Sequence, residues 1–133
     1  MMLLLREVSK DATFRHLVAR RFAVVRSDSA RPRRIQNRNV MLWLYPGASG
    51  VKTGFTAGSG FCLIATARRG DRELAVVVLG GREEVFSDAA ALLNHGFAAY
   101  ELRALVEEGE ALGSVRLRGG EVPVVAGQRL EAL

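Results

Sequence analysis

Between Pro46 and Leu79 the chain alternates turn residues with short apolar runs, and this punctuation constrains its fold more than any other feature. Pro46-Gly47 stops one run, and residues 50–56, 60–68 and 73–79 then read as three consecutive strands. Gly70-Asp71 between the last two suits a tight hairpin turn, because glycine reaches positive φ without strain. Residues 73–79 form the most apolar of the three runs, which predicts a central strand covered on both faces. The period then changes. Over residues 83–107, Val85, Phe86, Ala89, Leu92, Leu93, Phe97 and Tyr100 fall on one face of a long helix, and Glu83 and Glu84 suit its positive end. Gly96 either kinks or interrupts that helix, or lets a strand approach it closely.

The flanks are less strongly patterned. Residues 2–10 read as a helix with Leu4, Leu5 and Val8 on one face, but no N-cap precedes it. Asp11 is placed as the N-cap of a second helix whose buried stripe is Phe14, Leu17 and Val18. Residues 22–26 are β-branched and read as a strand, and 27–34 as a polar, proline-containing loop. Asn37-Arg38-Asn39 leads into the apolar run 40–45. Beyond Gly109, residues 114–117 and 122–125 read as short strands around Gly119-Gly120. So short a segment cannot bury a core of its own. The expected organisation is therefore α+β: residues 1–108 as part of a larger domain, and 109–133 as the truncated opening of a small β-rich domain. On this reading the chain is incomplete at both ends.

Composition narrows the chemistry. No apolar run approaches the roughly 18–20 residues of a membrane span, so no membrane span is expected. A single cysteine, Cys62, and two distant histidines, His16 and His95, leave no ligand set for a metal, and no cofactor is expected. The basic residues number 19, of which only Lys10 and Lys52 are lysines. Arg15, Arg20, Arg21, Arg26, Arg31, Arg33, Arg34 and Arg38 crowd one segment opposed only by Asp28. Such a patch can hold a polyanion. The simpler reading is a solvated face without a nucleic-acid partner, since no aromatic stacking run or nucleic-acid motif accompanies the charge.

One of the two lysines opens Lys52-Thr53-Gly54 on an expected strand. The missing Cβ at Gly54 lets a ligand lie against the strand edge. An ammonium and a neighbouring hydroxyl there can bind a carboxylate while the backbone pairs with an extended peptide. By itself the tripeptide is a weak signal. Its surroundings strengthen it: Asn37-Arg38-Asn39, Leu42-Trp43, the run from Tyr45 through Lys52-Thr53-Gly54-Phe55-Thr56, the run from Gly58 to Gly70, Leu74 to Gly80, Arg82, Asp88-Ala89, and Leu92-Leu93-Asn94-His95-Gly96-Phe97. As an ordered set these blocks resemble the serine-type D-alanyl-D-alanine carboxypeptidases, the low-molecular-mass penicillin-binding proteins, over the second half of their catalytic domain.

The resemblance implies a β-lactamase/transpeptidase-like α+β fold whose sheet ends at the Lys52 strand. It also implies an enzyme that removes the terminal D-alanine of peptidoglycan stem peptides ending in D-Ala-D-Ala, through an acyl-serine intermediate, and that β-lactam antibiotics inhibit. Such enzymes work in the periplasm or otherwise outside the cytoplasmic membrane, and the resemblance implies that the full-length protein is membrane-associated. Lys52 would supply positive charge beside the nucleophile, and Thr53 its hydroxyl to the substrate carboxylate, with Gly54 open to the ligand. Arg38 would be a second cation for that carboxylate, or else hold its own loop by a salt bridge. Phe55 would contribute its backbone N–H to the oxyanion hole.

That mechanism also needs S-x-x-K and S-x-N motifs. S-x-N occurs nowhere in the chain. Ser49-Gly50-Val51-Lys52 spells S-x-x-K, but on a strand positions i and i+3 point to opposite faces, so Ser49 is rejected as nucleophile. Ser59 has no base at a spacing that guarantees contact, Cys62 reads as a buried small hydrophobe, and His95 as structural. The chain alone is thus expected to be inactive. The competing expectation is a non-catalytic remnant or binding module that keeps the carboxylate-recognising strand.

Overall fold

The computed structural model describes residues 1–26 and 31–132. In chain order the elements are α1 (Met2–Val8), α2 (Ala12–Ala19), β1 (Phe22–Arg26), β2 (Pro32–Gln36), α3 (Met41–Leu44), β3 (Ala48–Thr56), β4 (Gly60–Arg69), β5 (Arg72–Gly81), α4 (Val85–Ala99), β6 (Arg103–Val106), β7 (Ala111–Leu117), β8 (Gly120–Val125) and β9 (Leu130–Ala132). Two compact units divide at Ala98/Ala99, ahead of the 108/109 boundary read from composition.

In the first unit β3, β4 and β5 form an antiparallel sheet in that order. Gly70, at φ +59°, turns β4 into β5 as the dipeptide signal required. The central strand, however, is β4 and not the more apolar β5. Hydrophobicity misled here because β4 is buried through small residues: Ala65 and Ala67 are fully covered and Thr66 nearly so. Their size lets α4 lie close. Its buried residues, Val85, Ala89, Leu93 and Phe97, recur every fourth position and meet Leu63, Ala65, Ala67 and Val76 in the core. Full burial of a side chain such as Leu63 or Leu93 stabilises by about 1.5–3 kcal/mol.

The helix is much shorter than residues 83–107. It ends at Ala99, and Arg103–Val106 is a strand. Leu92 and Tyr100 of the expected apolar face are exposed. Gly96 does not break the helix but admits β5: a Cβ there would sit 2.8 Å from Leu74 Cδ1. A polar cluster closes this side. Arg69 Nη2 donates to Tyr45 Oη and to Asn94 Oδ1, each at 2.8 Å, and Tyr45 Oη donates to the same Asn94 oxygen at 2.9 Å. These bonds tie the end of α3 and the middle of α4 to the end of β4.

Helix α2 packs near the start of β3. Asp11 caps it as expected, accepting from the Phe14 N–H at 3.0 Å. That backbone bond, with a second from Thr13, holds the Asp11 carboxyl below the ordinary range. Phe14 and Val18 are half-buried, but Leu17 of the expected stripe is exposed. Val18 meets β3 at Gly50, and Leu17 is turned about 100° from it. In α1 Leu5 is buried while Leu4 is exposed. β1 pairs with β2 in a separate antiparallel ribbon. Residues 32–34 therefore belong to a strand rather than to the expected loop, and 27–30 of that loop lie outside the described residues. Pro32 is tolerated because it opens a strand at a ribbon edge.

The second unit pairs β6 with β9 and β7 with β8. The two expected strands are present and longer, β7 beginning at Ala111 and β8 at Gly120. Among its described residues only Ala126 is a buried hydrophobic. The Gly109 N–H donates to Ala126 C=O at 2.8 Å, and the Ala126 N–H to Glu110 C=O at 2.9 Å, continuing the β7–β8 pairing beyond the strands themselves.

Candidate functional site

Lys52, Thr53, Gly54 and Phe55 all lie on β3, which forms one edge of the three-stranded sheet. Their register is Lys52 opposite Ile64, Thr53 opposite Leu63, Gly54 opposite Cys62 and Phe55 opposite Phe61. Opposed residues share a face. Thr53 therefore shares the side of the core residue Leu63, and Lys52 the other side, so one ligand reaches both only from the edge. Lys52 is exposed, donates from Nζ to the Thr53 carbonyl and has no carboxylate partner among the described residues.

Gly54 is not demanded by the fold. Its φ is unexceptional, and a Cβ built on it would meet only Cys62 Cβ, at an ordinary 3.9 Å. An exposed edge lysine beside a glycine that packing does not require is the arrangement a ligand lying along the strand needs.

Phe55 is 61% exposed and rests on Phe61, ring centroids 4.5 Å apart. The same pair lines a shallow concavity with Gly60, Gly81, Arg82, Glu83 and Glu84. Phe61 faces Phe55 on one side and Gly81 on the other, so the sheet carries Arg82 to the Phe55 end of β3. Arg82 is the residue that reasoning about sites from sequence passed over. The signal was present, since it follows Gly80-Gly81 at the end of the third apolar run, but its nearness to β3 depends on the strand order.

Arg38 stands elsewhere. It is exposed and lines a different concavity with Gln36, Asn37, Val40, Trp43 and Leu44, none of them on β3. Nor does Arg38 hold its loop by a salt bridge among the described residues. The flanking asparagines do that work. Asn37 Nδ2 donates to the carbonyls of Val18 and Arg20 at 3.2 and 3.0 Å, and Asn37 Oδ1 accepts from the Asn39 N–H at 3.0 Å. Buried Asn39 accepts from the Met41 N–H at 3.2 Å to start α3, while its Nδ2 has no partner.

Of the nucleophile candidates, Ser49 shares a hydrogen bond with Thr66 Oγ1 at 2.8 Å and lines a concavity with α1 and α2 residues, apart from Lys52. Ser59 is exposed in the β3–β4 turn, and His95 is exposed on α4. Cys62 is half-buried rather than buried, its Sγ 3.8 Å from the Ser59 carbonyl oxygen. No three potential metal-ligating side chains cluster among the described residues.

The D-alanyl-D-alanine carboxypeptidase family model matches residues 1–83. D-alanyl-D-alanine carboxypeptidase DacD of Escherichia coli is 39% identical over 92 residues, which cover 65% of this chain and 23% of that protein. DacF of Bacillus subtilis is 31% identical over 87 residues, covering 64% and 22%. Among solved structures, the Streptomyces K15 DD-transpeptidase superposes with a TM-score of 0.63 at 31% identity, covering 69% of this chain and 38% of that one. The chain thus spans less than a quarter of the length of these two curated relatives. The antiparallel sheet with its packed helix is the α+β fold of penicillin-binding proteins. Residues 1–83 make up more than half of the chain, and by this match it belongs to the D-alanyl-D-alanine carboxypeptidase family.

Proposed function

We propose that this chain carries the substrate-recognising edge of a serine-type D-Ala-D-Ala carboxypeptidase. The full enzyme removes the terminal D-alanine from peptidoglycan stem peptides outside the cytoplasmic membrane. Its first unit is part of the catalytic domain, and its C-terminal strands open a β-rich domain. The observation that carries the proposal is the exposed Lys52-Thr53-Gly54-Phe55 edge in a family member. An extended peptide lies along β3 from the edge, its carboxylate meeting the Thr53 hydroxyl and the Lys52 ammonium. The Phe55 N–H donates to the oxyanion that develops on the penultimate residue's carbonyl.

A serine hydroxyl attacks that carbonyl, the bond to the terminal D-alanine breaks, and water then hydrolyses the acyl-serine. A β-lactam acylates the same serine. A neighbour supports this part: penicillin-binding protein D2 of Listeria monocytogenes, 29% identical to this chain, has been solved in a cefotaxime-bound form. Two arginines compete for the second contact to the carboxylate. Arg38 has the resemblance in its favour, whereas Arg82 shares a concavity with Phe55. Geometry favours Arg82.

Acylation needs a hydroxyl activated by a base. Ser49 is tied to Thr66 instead, which leaves the chain by itself a carboxylate-binding module without chemistry. Incubated alone with a fluorescent penicillin, it is expected to form no covalent adduct. Co-expression with the preceding part of a relative's catalytic domain restores labelling, and Lys52→Ala in that complex lowers it by about 10²–10³-fold, the scale of losing one electrostatic contact in an acyl-transfer site. Labelling of the isolated chain that disappears in Ser49→Ala or Ser59→Ala overturns the assignment.

A further inference from the structure

We propose that the β1–β2 ribbon is a docking surface for an anionic lipid membrane. The proposal stands apart from the function of the β3 edge. Register places Val24 opposite Arg34 and Val25 opposite Arg33. Opposed residues share a face, so each face of the ribbon carries an aliphatic side chain beside a guanidinium. Phe22 continues the first face and Ile35 the second, since both lie two positions along. All six residues are exposed, Val24 to 65%. No carboxylate of the described residues pairs with Arg31, Arg33 or Arg34. The sequence from residue 12 to residue 70 contains a single acid, Asp28, which lies outside the described residues.

This charge excess selects an anionic partner, and the apolar groups choose among anionic partners. A duplex would engage the guanidiniums and leave the aliphatic side chains in water, and a single strand would need free aromatic faces on which bases stack. Here the Arg34 guanidinium covers the Phe22 ring at 4.3 Å, and Trp43 takes the edge of Phe22 and the Arg21 cation, each at 5.9 Å. A second protein copy, or any flat protein surface, would cover one face and leave the other aliphatic row in water. The boundary between headgroups and acyl chains surrounds both faces at once. Guanidiniums at its outer level meet phosphates while Val24, Val25 and Ile35 leave water. A two-stranded ribbon, marginal by itself in water, gains a support that the core does not give it.

The test is co-sedimentation of the full chain with vesicles of phosphatidylcholine alone and of phosphatidylcholine mixed with phosphatidylglycerol. Binding is expected to the mixed vesicles only, and to weaken with salt. Replacing Arg33 and Arg34 together by alanine lowers partitioning roughly 25-fold at low salt, at about fivefold per arginine beside an anionic surface. The lysine pair Arg33→Lys, Arg34→Lys retains binding, which separates charge from any loss of folding. Val24→Ser with Val25→Ser also weakens vesicle binding but leaves retention on polyphosphate unchanged. Equal binding to both vesicle types overturns the proposal. So does vesicle binding indifferent to the serine pair and competed away by duplex DNA, which makes the ribbon a general polyanion surface. Self-association lost in the same variants also overturns it, because a second copy then covers the ribbon.

Discussion

The two ends of β3 use glycine for opposite reasons. At the start of the strand the folded chain itself excludes a side chain. Gly47 has φ +83°, and a Cβ there would lie 2.1 Å from the Arg68 carbonyl oxygen; Gly50 has φ +141° and would meet Val18 Cγ2 at 2.9 Å. Towards the other end, Gly54 has ordinary backbone angles and room for a methyl group. One end is closed by a bulge and a helix, and the other is open to whatever lies along the edge. Within one strand, then, a glycine that packing requires can be told from one that packing merely permits. The second kind points to a ligand.

Substitution breaks or sharpens this contrast. The largest effect is expected from Gly47→Ala, which must leave the left-handed region and also disturb the 2.9 Å bond from the Arg68 N–H to the Gly47 carbonyl. Urea unfolding should show a loss of about 3 kcal/mol, from the backbone penalty and the hydrogen bond together. Gly50→Ala comes next at about 1–3 kcal/mol, and it should weaken amide protection in α2, because Val18 has to back away.

Gly54→Ala should have the opposite sign. Stability is unchanged or rises by up to about 0.5–1 kcal/mol, since alanine is the better strand residue where it fits. Binding of an N-acetylated D-Ala-D-Ala peptide, followed by titration, should nevertheless weaken. A Gly54→Ala chain that unfolds as readily as Gly50→Ala would erase the distinction between the two ends.

The smallest effect belongs to Asp11, at the head of the helix that closes the first end. Its carboxyl is held low by the backbone N–H bonds from Phe14 and Thr13, so the folded pKa is depressed. The associated stabilisation of α2 is present above the unfolded value, near pH 4, and is lost as pH falls through the folded value. Hydrogen exchange in α2 should accelerate over that interval, and Asp11→Asn should remove the pH dependence while keeping a cap.

Local signals were legible where one residue decides one conformation. Gly70-Asp71 marked its hairpin, Asp11 its cap, and the spacing of Val85, Ala89, Leu93 and Phe97 the buried line of α4. The Lys52-Thr53-Gly54 edge was legible too, because the surrounding blocks identified the family before any coordinates did. Other features had no local mark. The helical period runs on past Ala99, and only pairing with β9, far along the chain, makes Arg103–Val106 a strand. β2 is exposed on every residue and shows no alternation to read.

By itself, then, the sequence determined the turns, the cap and the strand runs, because each rests on backbone preference or on side-chain spacing within a few residues. Tertiary structure alone decided that β4 and not β5 lies at the centre, since small residues there admit α4 more closely than bulkier ones would. It decided that Arg82 rather than Arg38 stands beside Phe55, and that Arg69 joins Tyr45 to Asn94. Those neighbours lie 24 to 49 positions apart along the chain, and only the order in which strands and helices pack brings them within hydrogen-bonding reach or into one concavity.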